Sequence, residues 1–212
     1  MILFLDTVSP LPEFSVIKDS KLVSSIQILN KNSNKISDHI IPVYLKLKKR
    51  LKLNDKIEKL IVCTGPGSYT ALRVGIAFMY GLSLSKKIKL TGVTSTDLFK
   101  FVIPRTNKNN TLMITCSSNN QNFIGIPDDN KGKYLIRKID IKIQSSEINY
   151  NKYNYCVSNY KLSSNIIQNL NLKLYEQINF TEIVRSNLID ILSLPINPLI
   201  EPMYISDNKM FN

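Results

Sequence analysis

Histidine and cysteine are scarce in this chain, and several motifs that would announce a chemistry are missing. His39 is the single histidine, so no paired-histidine metal site can form within one chain. A Ser–His–Asp triad would have to use His39, yet Asp38 is its neighbour, and adjacent side chains on a helix point apart. His39 therefore reads as a surface residue at a helix start. Cys63, Cys116 and Cys156 are odd in number and widely spaced, with no CxxC; this argues against disulfides and a cysteine zinc site and fits a reducing cytosol. No apolar run approaches the length of a membrane span, and "MILFLDTVSP" meets Asp6 without a basic segment, unlike a signal peptide. The phosphate motifs GxxxxGK[ST] and GxGxxG are absent. Acidic residues are also few: 16 against 28 lysines and arginines, a net charge of +12. A nucleic-acid partner would explain the excess. Scattered, solvated lysines explain it too, and the lack of a stacking series of aromatics favours that reading.

What is present is an ordinary globular composition, 212 residues of which 43% are apolar, enough for one large domain or two small ones. "ILFLDT", "FSVIKD" and "KLVSSIQIL" read as three strands. In "SDHIIPVYLKLKKRLKL", Ile40, Tyr44, Leu47 and Leu51 fall at helical spacing, Ile41 and Leu45 widen the stripe, and the lysines fill the other face. Pro42 is expected within about the first turn of that helix, where its missing N–H costs least; an earlier start would put a kink there. "KLIVCT" is a fourth strand, "SYTALRVGIAFMYGLSLSKK" a helix of about five turns, and "IKLTGV" a fifth strand. "STDLFKFVI" opens another helix, capped by Ser95 or Thr96. The result is a mixed α/β layer. "PRTNKNN" is polar, aperiodic and turn-prone, and divides the chain into 1–104 and 105–212. Beyond it, "TLMITCS", "NFIGIP", "KYLIRKIDIKI" and "NYCVS" read as strands. "LSSNIIQNL" and "TEIVRSNLIDILSL" read as helices, and "PINPLIEPMYIS" as an extended tail. No internal repeat is visible.

The chemically suggestive stretch is "TGPGSYTALRVG", Thr64 to Gly75. Gly65 and Gly67 bracket Pro66 between a strand and a helix, delivering Ser68 or Thr70 to a helix N-terminus. Free N–H groups there could hold an anion; alternatively the turn is merely tight and Ser68 caps it. The helix that follows carries Gly75 and Gly81 in its interior, each at a cost of about 1 kcal/mol relative to alanine. Ala71 and Ala77 precede them by four, so two small-residue grooves lie on different sides of one helix. One such groove can take the chain's own sheet and the other a second subunit. Asp6 and Thr7, ending the first strand, could hold a metal or phosphate, but capping the turn is the simpler role.

These segments, in this order, resemble the TsaB family. Its pattern is a first strand ending in Asp-Thr, then Gly-Pro-Gly-Ser-Phe-Thr-Gly-x-Arg-x-Gly, then Gly-Val-Ser-Ser/Thr-Leu. Asp6, Thr7, Gly65, Pro66, Gly67, Ser68, Thr70, Arg73, Gly75, Gly92 and Val93 match it. Tyr69 replaces phenylalanine, and Ala71 stands where the last glycine of the turn is expected. Cys116 and Ser118 occupy places of Asp and Arg in a later Asp-Ala-Arg segment, and "EPMYIS" is similar to the family's Pro-x-Tyr-Leu-Arg. The resemblance covers residues 1–100 and is faint beyond. It implies two actin-like (ribonuclease H-like) subdomains with mixed sheets flanked by helices. It also implies a non-catalytic subunit of the enzyme that transfers threonylcarbamoyl to the tRNA adenosine beside the anticodon. Such a subunit pairs with a TsaD-like catalytic paralogue, is joined by a TsaE-like ATPase, meets tRNA through the complex, and can form a homodimer when alone. No catalytic residue, cofactor, metal or membrane contact is expected. The first two helices would carry the interface, through Tyr44, Leu47, Ala71, Gly75, Phe78 and Met79. The alternative is a vestigial nucleotide-binding or peptidase-like enzyme of the same fold.

Overall fold

The computed structural model describes residues 1–29, 35–53, 56–118, 121–128, 133–139, 152–153, 155–194 and 199–205. Strands β1 (Ile2–Asp6), β2 (Glu13–Lys18) and β3 (Lys21–Gln27) form an antiparallel meander. Helix α1 (Ile36–Leu51), β4 (Lys59–Cys63), α2 (Tyr69–Lys86), β5 (Lys89–Val93) and α3 (Ser95–Lys100) complete the first unit. β4 and β5 add in parallel to β1, giving a five-stranded sheet in the order β3-β2-β1-β4-β5. A 3-10 turn over Arg105–Asn110 occupies the expected loop. It leads to β6 (Thr111–Cys116), β7 (Asn122–Asp128), β8 (Lys133–Ile139), β9 (Tyr155–Ser158), α4 (Ser164–Asn169) and β10 (Tyr175–Gln177). The last helices are α5 (Phe180–Ser186) and α6 (Leu188–Ser193).

The second sheet runs β10-β9-β6-β7-β8, with β6–β7 and β7–β8 antiparallel and β6–β9 and β9–β10 parallel. Read from the other edge, this is the connectivity of the first sheet. The fold therefore contains a repeat that the sequence hides, because the two copies share strand order and direction and not residues. These two mixed sheets flanked by helices make the α/β, actin-like architecture.

Central β1 is buried on both faces. Leu3 and Leu5 point toward α1 and α2, together with Phe14, Val62, Leu47 and Met79. Ile2 and Phe4 point the other way, into a cluster shared with Val93, Phe99, Met113, Phe180, Ile183 and Ile191. Each large apolar side chain so buried contributes about 1.5–3 kcal/mol. The expected single helix over 181–194 is two helices, α5 and α6, meeting at Asn187. β10 was not expected: its three residues are exposed and show no alternation. Residues 140–143 of the expected strand "KYLIRKIDIKI", and 195–198 of the tail, lie outside the described residues. Helix α1 begins at Ile36, so Pro42 sits inside it rather than in its first turn, and the carbonyl of Asp38 loses its usual partner.

Candidate functional site

In open α/β sheets, ligands bind where the carboxyl ends of parallel strands face a crevice. Here those ends are the loops after β1, β4, β5, β6 and β9, and they are tied directly to one another. The Ser118 N–H donates to the Val8 carbonyl at 3.1 Å. Asn159 Nδ2 donates to Ser9 Oγ at 2.8 Å and to the Cys116 carbonyl at 3.0 Å, while its Oδ1 accepts the Cys116 N–H at 2.7 Å. Ser95 and Thr115 share a hydroxyl–hydroxyl bond of 2.8 Å. The bridging Asn159 carried no signal in the Asn-rich second half.

Asp6 caps the loop after β1. Its Oδ1 accepts the N–H groups of Val8 at 2.8 Å and Ser9 at 3.1 Å. Burial pushes its pKa up to about 6, against the opposing pull of hydrogen bonds from Ser9 and Val8. Among the described residues, no group of three His, Cys, Asp or Glu side chains is placed to hold a metal.

The glycine turn is shaped by the chain's own C-terminal segment. Gly65 has φ +117, and a Cβ on it would stand 2.9 Å from the Met203 carbonyl and 3.0 Å from Leu72 Cδ1. The Met203 N–H donates to the Thr64 carbonyl at 2.7 Å, so residues 199–205 form a strap over the turn. A Cβ on Gly67 would touch Val8 at 3.5 Å. Ser68 is buried at the N-cap position but makes no side-chain cap bond, and Thr70 is exposed in the first turn. Thr94, not Ser95 or Thr96, caps α3, accepting the Asp97 N–H at 3.1 Å. Arg73 fastens the strap: its Nε donates to the Tyr204 hydroxyl at 2.8 Å, and its guanidinium lies 3.8 Å from the centre of the Tyr69 ring. Between α2 and the strap runs a cleft of about 580 Å³, lined by Arg73, Ala77, Tyr80, Ile200, Glu201 and Tyr204 among others. Arg73 and Tyr204 fall on stretches that matched the family pattern, and that was their one sequence signal.

The expected interface residues need correction. Tyr44, Leu47, Ala71, Gly75 and Met79 are buried in the chain's own core, and half-buried Phe78 packs on the rings of Phe14 and Tyr44. A Cβ on Gly75 would come within 2.5 Å of Thr7 Cγ2; this groove receives the first strand. The apolar stripe marks the side of a helix that the chain itself covers, so it selects core residues. The outward faces of the same helices carry Ile41 and Leu45, each 54% exposed, Leu84, 75% exposed, and Ala77 and Gly81. A Cβ on Gly81 would meet nothing within 4 Å.

Potential nucleophiles are muffled. The three thiols are buried, and burial raises the pKa of each, leaving little thiolate. His39 is half-buried in the first turn of α1. The Thr7 and Ser117 hydroxyls are buried without a hydrogen-bond partner.

The sequence profile of the TsaD family, tRNA N6-adenosine threonylcarbamoyltransferase, matches residues 29–174. No curated protein matches the chain. Solved structures share its fold, two of them from one organism. One, from Pseudomonas aeruginosa, is described as an uncharacterized protein with similarity to peptidase YeaZ. It has a TM-score of 0.64 at 10% identity, over 97% of this chain and 99% of its own. The other, YeaZ from Pseudomonas aeruginosa, has a TM-score of 0.62 at 10% identity, over 96% of this chain and 99% of its own. No helix among the described residues is long and apolar enough to cross a membrane. With the profile spanning most of the chain and the TsaB-like motifs ordered along its first sheet, the chain belongs to the tRNA N6-adenosine threonylcarbamoyltransferase family, on its TsaB side, and has a role in the tRNA threonylcarbamoyladenosine machinery.

Proposed function

We propose that this chain is a non-catalytic partner subunit for threonylcarbamoylation of the tRNA adenosine next to the anticodon. It pairs with a TsaD-like catalytic subunit, works beside a TsaE-like ATPase in a reducing cytoplasm, and meets tRNA within that assembly. The observation that carries this reading is the outward face of α1 and α2. Ile41 and Leu45, one turn apart, are more than half exposed, as is Leu84, and Gly81 leaves open space for an approaching backbone. Exposed apolar side chains on two adjacent helices are the kind of surface that a partner covers. A second copy of the chain can use the same surface when the partner is missing.

Two further observations support a subunit without chemistry of its own. The loops at the carboxyl ends of the parallel strands are occupied by bonds to each other and to the strap. The thiols are buried, and that burial keeps them protonated, and among the described residues His39 is in no ion pair with an acid. The test is co-expression with the TsaD-like paralogue of the same source, followed by pull-down. Wild type is expected to capture the paralogue, and Ile41→Glu with Leu45→Glu to lose capture while melting like wild type. Undiminished capture by that variant, or ATP turnover by the lone chain, would overturn the reading.

A further inference from the structure

The lysines of the first sheet are not spread evenly over it. β1, β4 and β5 run in parallel, and their amino ends lie at the end of the sheet opposite the glycine turn. β4 starts at Lys59 and β5 at Lys89, and these two residues are direct neighbours in the ladder. The β2–β3 turn reaches the same end, since Ile2 pairs with both Ile17 and Lys59, and it brings Lys18 and Lys21. Both long helices finish there as well: α1 with Lys48, Lys49, Arg50 and then Lys52, α2 with Lys86 and then Lys87. Lys56 lies in the connection from α1 to β4.

Helix polarity explains part of this, because cations near the last turn are favoured by the helix dipole. It does not explain the lysines at the strand starts. Nor does it explain the backbone at Lys52 and Lys87, whose φ values of 50 and 53 are left-handed, a conformation that helix ends normally give to glycine or asparagine. Both helices thus carry a lysine where a side chain is least welcome. Lys59 beside Lys89 is a like-charge pair, also unfavourable by itself. Compensation is thin. The acids described at this end are Asp19, in the β2–β3 turn between Lys18 and Lys21, and Glu58, which is engaged by the N-terminal amino group of Met1 at 3.2 Å; Arg50 is bonded to Ser24 and Ser25. Among the described residues, Lys18, Lys21, Lys49, Lys52, Lys56, Lys59, Lys87 and Lys89 are in no ion pair.

We propose that this lysine-rich end of the first sheet is a docking surface for the phosphate backbone of RNA, reading no sequence. The inference rests on the tRNA reading above for its choice of polyanion. A membrane surface is disfavoured because, among the described residues, Leu22, Val23 and Leu84 are the large apolar residues exposed on the contributing strands and helix ends beyond the α1 face, too few for an embedded apolar face. RNA needs only positive charge held at fixed points on a backbone.

The experiment uses the full chain and a fluorescent, unmodified tRNA transcript, with anisotropy measured across a salt series. Lys59→Gln, Lys87→Gln and Lys89→Gln are combined in one variant. Lys108→Gln, Lys161→Gln and Lys173→Gln, all exposed on the second half, are combined in a control that loses the same charge. The first variant is expected to melt like wild type and to lower the slope of log affinity against log salt by roughly 2–3 units; the control should leave it nearly unchanged. Equal slopes in the two variants, no binding by wild type at low salt, or stronger capture by phosphatidylserine vesicles than by tRNA would overturn the proposal. The partner pull-down remains separate. Capture of the paralogue with an unchanged salt slope sinks the RNA surface alone, and a lost slope without capture sinks the subunit reading alone.

Discussion

Asp6 is a carboxylate whose two oxygens do different work. Both backbone donors reach Oδ1 and the Ser9 hydroxyl also bonds to the carboxylate, so a proton on Oδ2 leaves the backbone cap intact. Its pKa stands at about 6 in the fold against 3.8 for the free group, so the native state holds the proton more tightly than the unfolded chain. The stability from this group is therefore full below about pH 4 and is lost as pH rises through about 6, a span of about 3 kcal/mol at most. Asp6→Asn keeps Oδ1 and removes the titration. Denaturant midpoints for variant and wild type should diverge between pH 4.5 and pH 7, with wild type gaining relative to the variant on acidification; parallel profiles would show that Asp6 does not titrate in that window. Gly75 is the second residue whose role is set by one contact. Alanine there gains about 1 kcal/mol of helix propensity but drives a methyl into Thr7, and overpacking costs about 1–3 kcal/mol. Gly75→Ala should be destabilising on balance, and Thr7→Ala should relieve it. A double-mutant cycle is expected to give a coupling of about 1 kcal/mol; additive effects would mean the helix does not press on Thr7. The sequence made Gly75 visible but not its direction, because a glycine has no side chain whose polarity could say which way it faces.

At the scale of elements, α2 was legible in extent and not in orientation. It spans 18 residues, about five turns as the pattern foretold, yet it is apolar almost all round. Its inward face holds Ala71, Leu72, Gly75, Ile76 and Met79, while its outward face mixes Ala77, Gly81 and Leu84 with Thr70, Arg73 and Ser85, so the polarity contrast between them is slight. Gly81→Ala is expected to stabilise the lone chain by somewhat under 1 kcal/mol, since open space surrounds it. Gly81→Leu should leave melting close to wild type and weaken capture of the paralogue. Capture by Gly81→Leu at full strength would place the contact elsewhere. The strap was seen as an extended tail but not as a clamp, because its attachment is a backbone bond from Met203 to Thr64, and such a bond leaves no mark in the residue type. Arg73→Ala removes the bond to Tyr204 and the stack on Tyr69. Hydrogen exchange at the Met203 amide should then quicken, with the exchange of β1 unchanged; equal protection in both proteins would show that Arg73 does not hold the strap.

For the whole molecule, the sequence supported a mixed sheet in the first half and, through the resemblance, two related sheets. It did not disclose that helices from the end of the chain cover the first sheet. Phe180, Ile183, Val184 and Ile191 pack on Phe4, Val93 and Phe99, and Ser15 bonds to Thr181 at 2.9 Å. Periodicity reports that a face is apolar, not which distant element meets it. Residues 1–104 expressed alone should therefore melt without cooperativity and gain order when a peptide of residues 179–205 is added, as circular dichroism and exchange would record; a sharply melting 1–104 fragment would refute this interdependence. The clamp over Gly65 also bears on biosynthesis. The turn leaves the ribosome early, but the Met203 amide that pins it emerges only after the entire second sheet has been translated. Helix α2, which starts at that turn and displays the outward face, receives the strap's contacts to its first turns only once synthesis has passed residue 203. A nascent or prematurely stopped chain would thus offer the proposed partner an unfinished surface, and the assembly proposed above would be reserved for molecules whose translation had run past the strap.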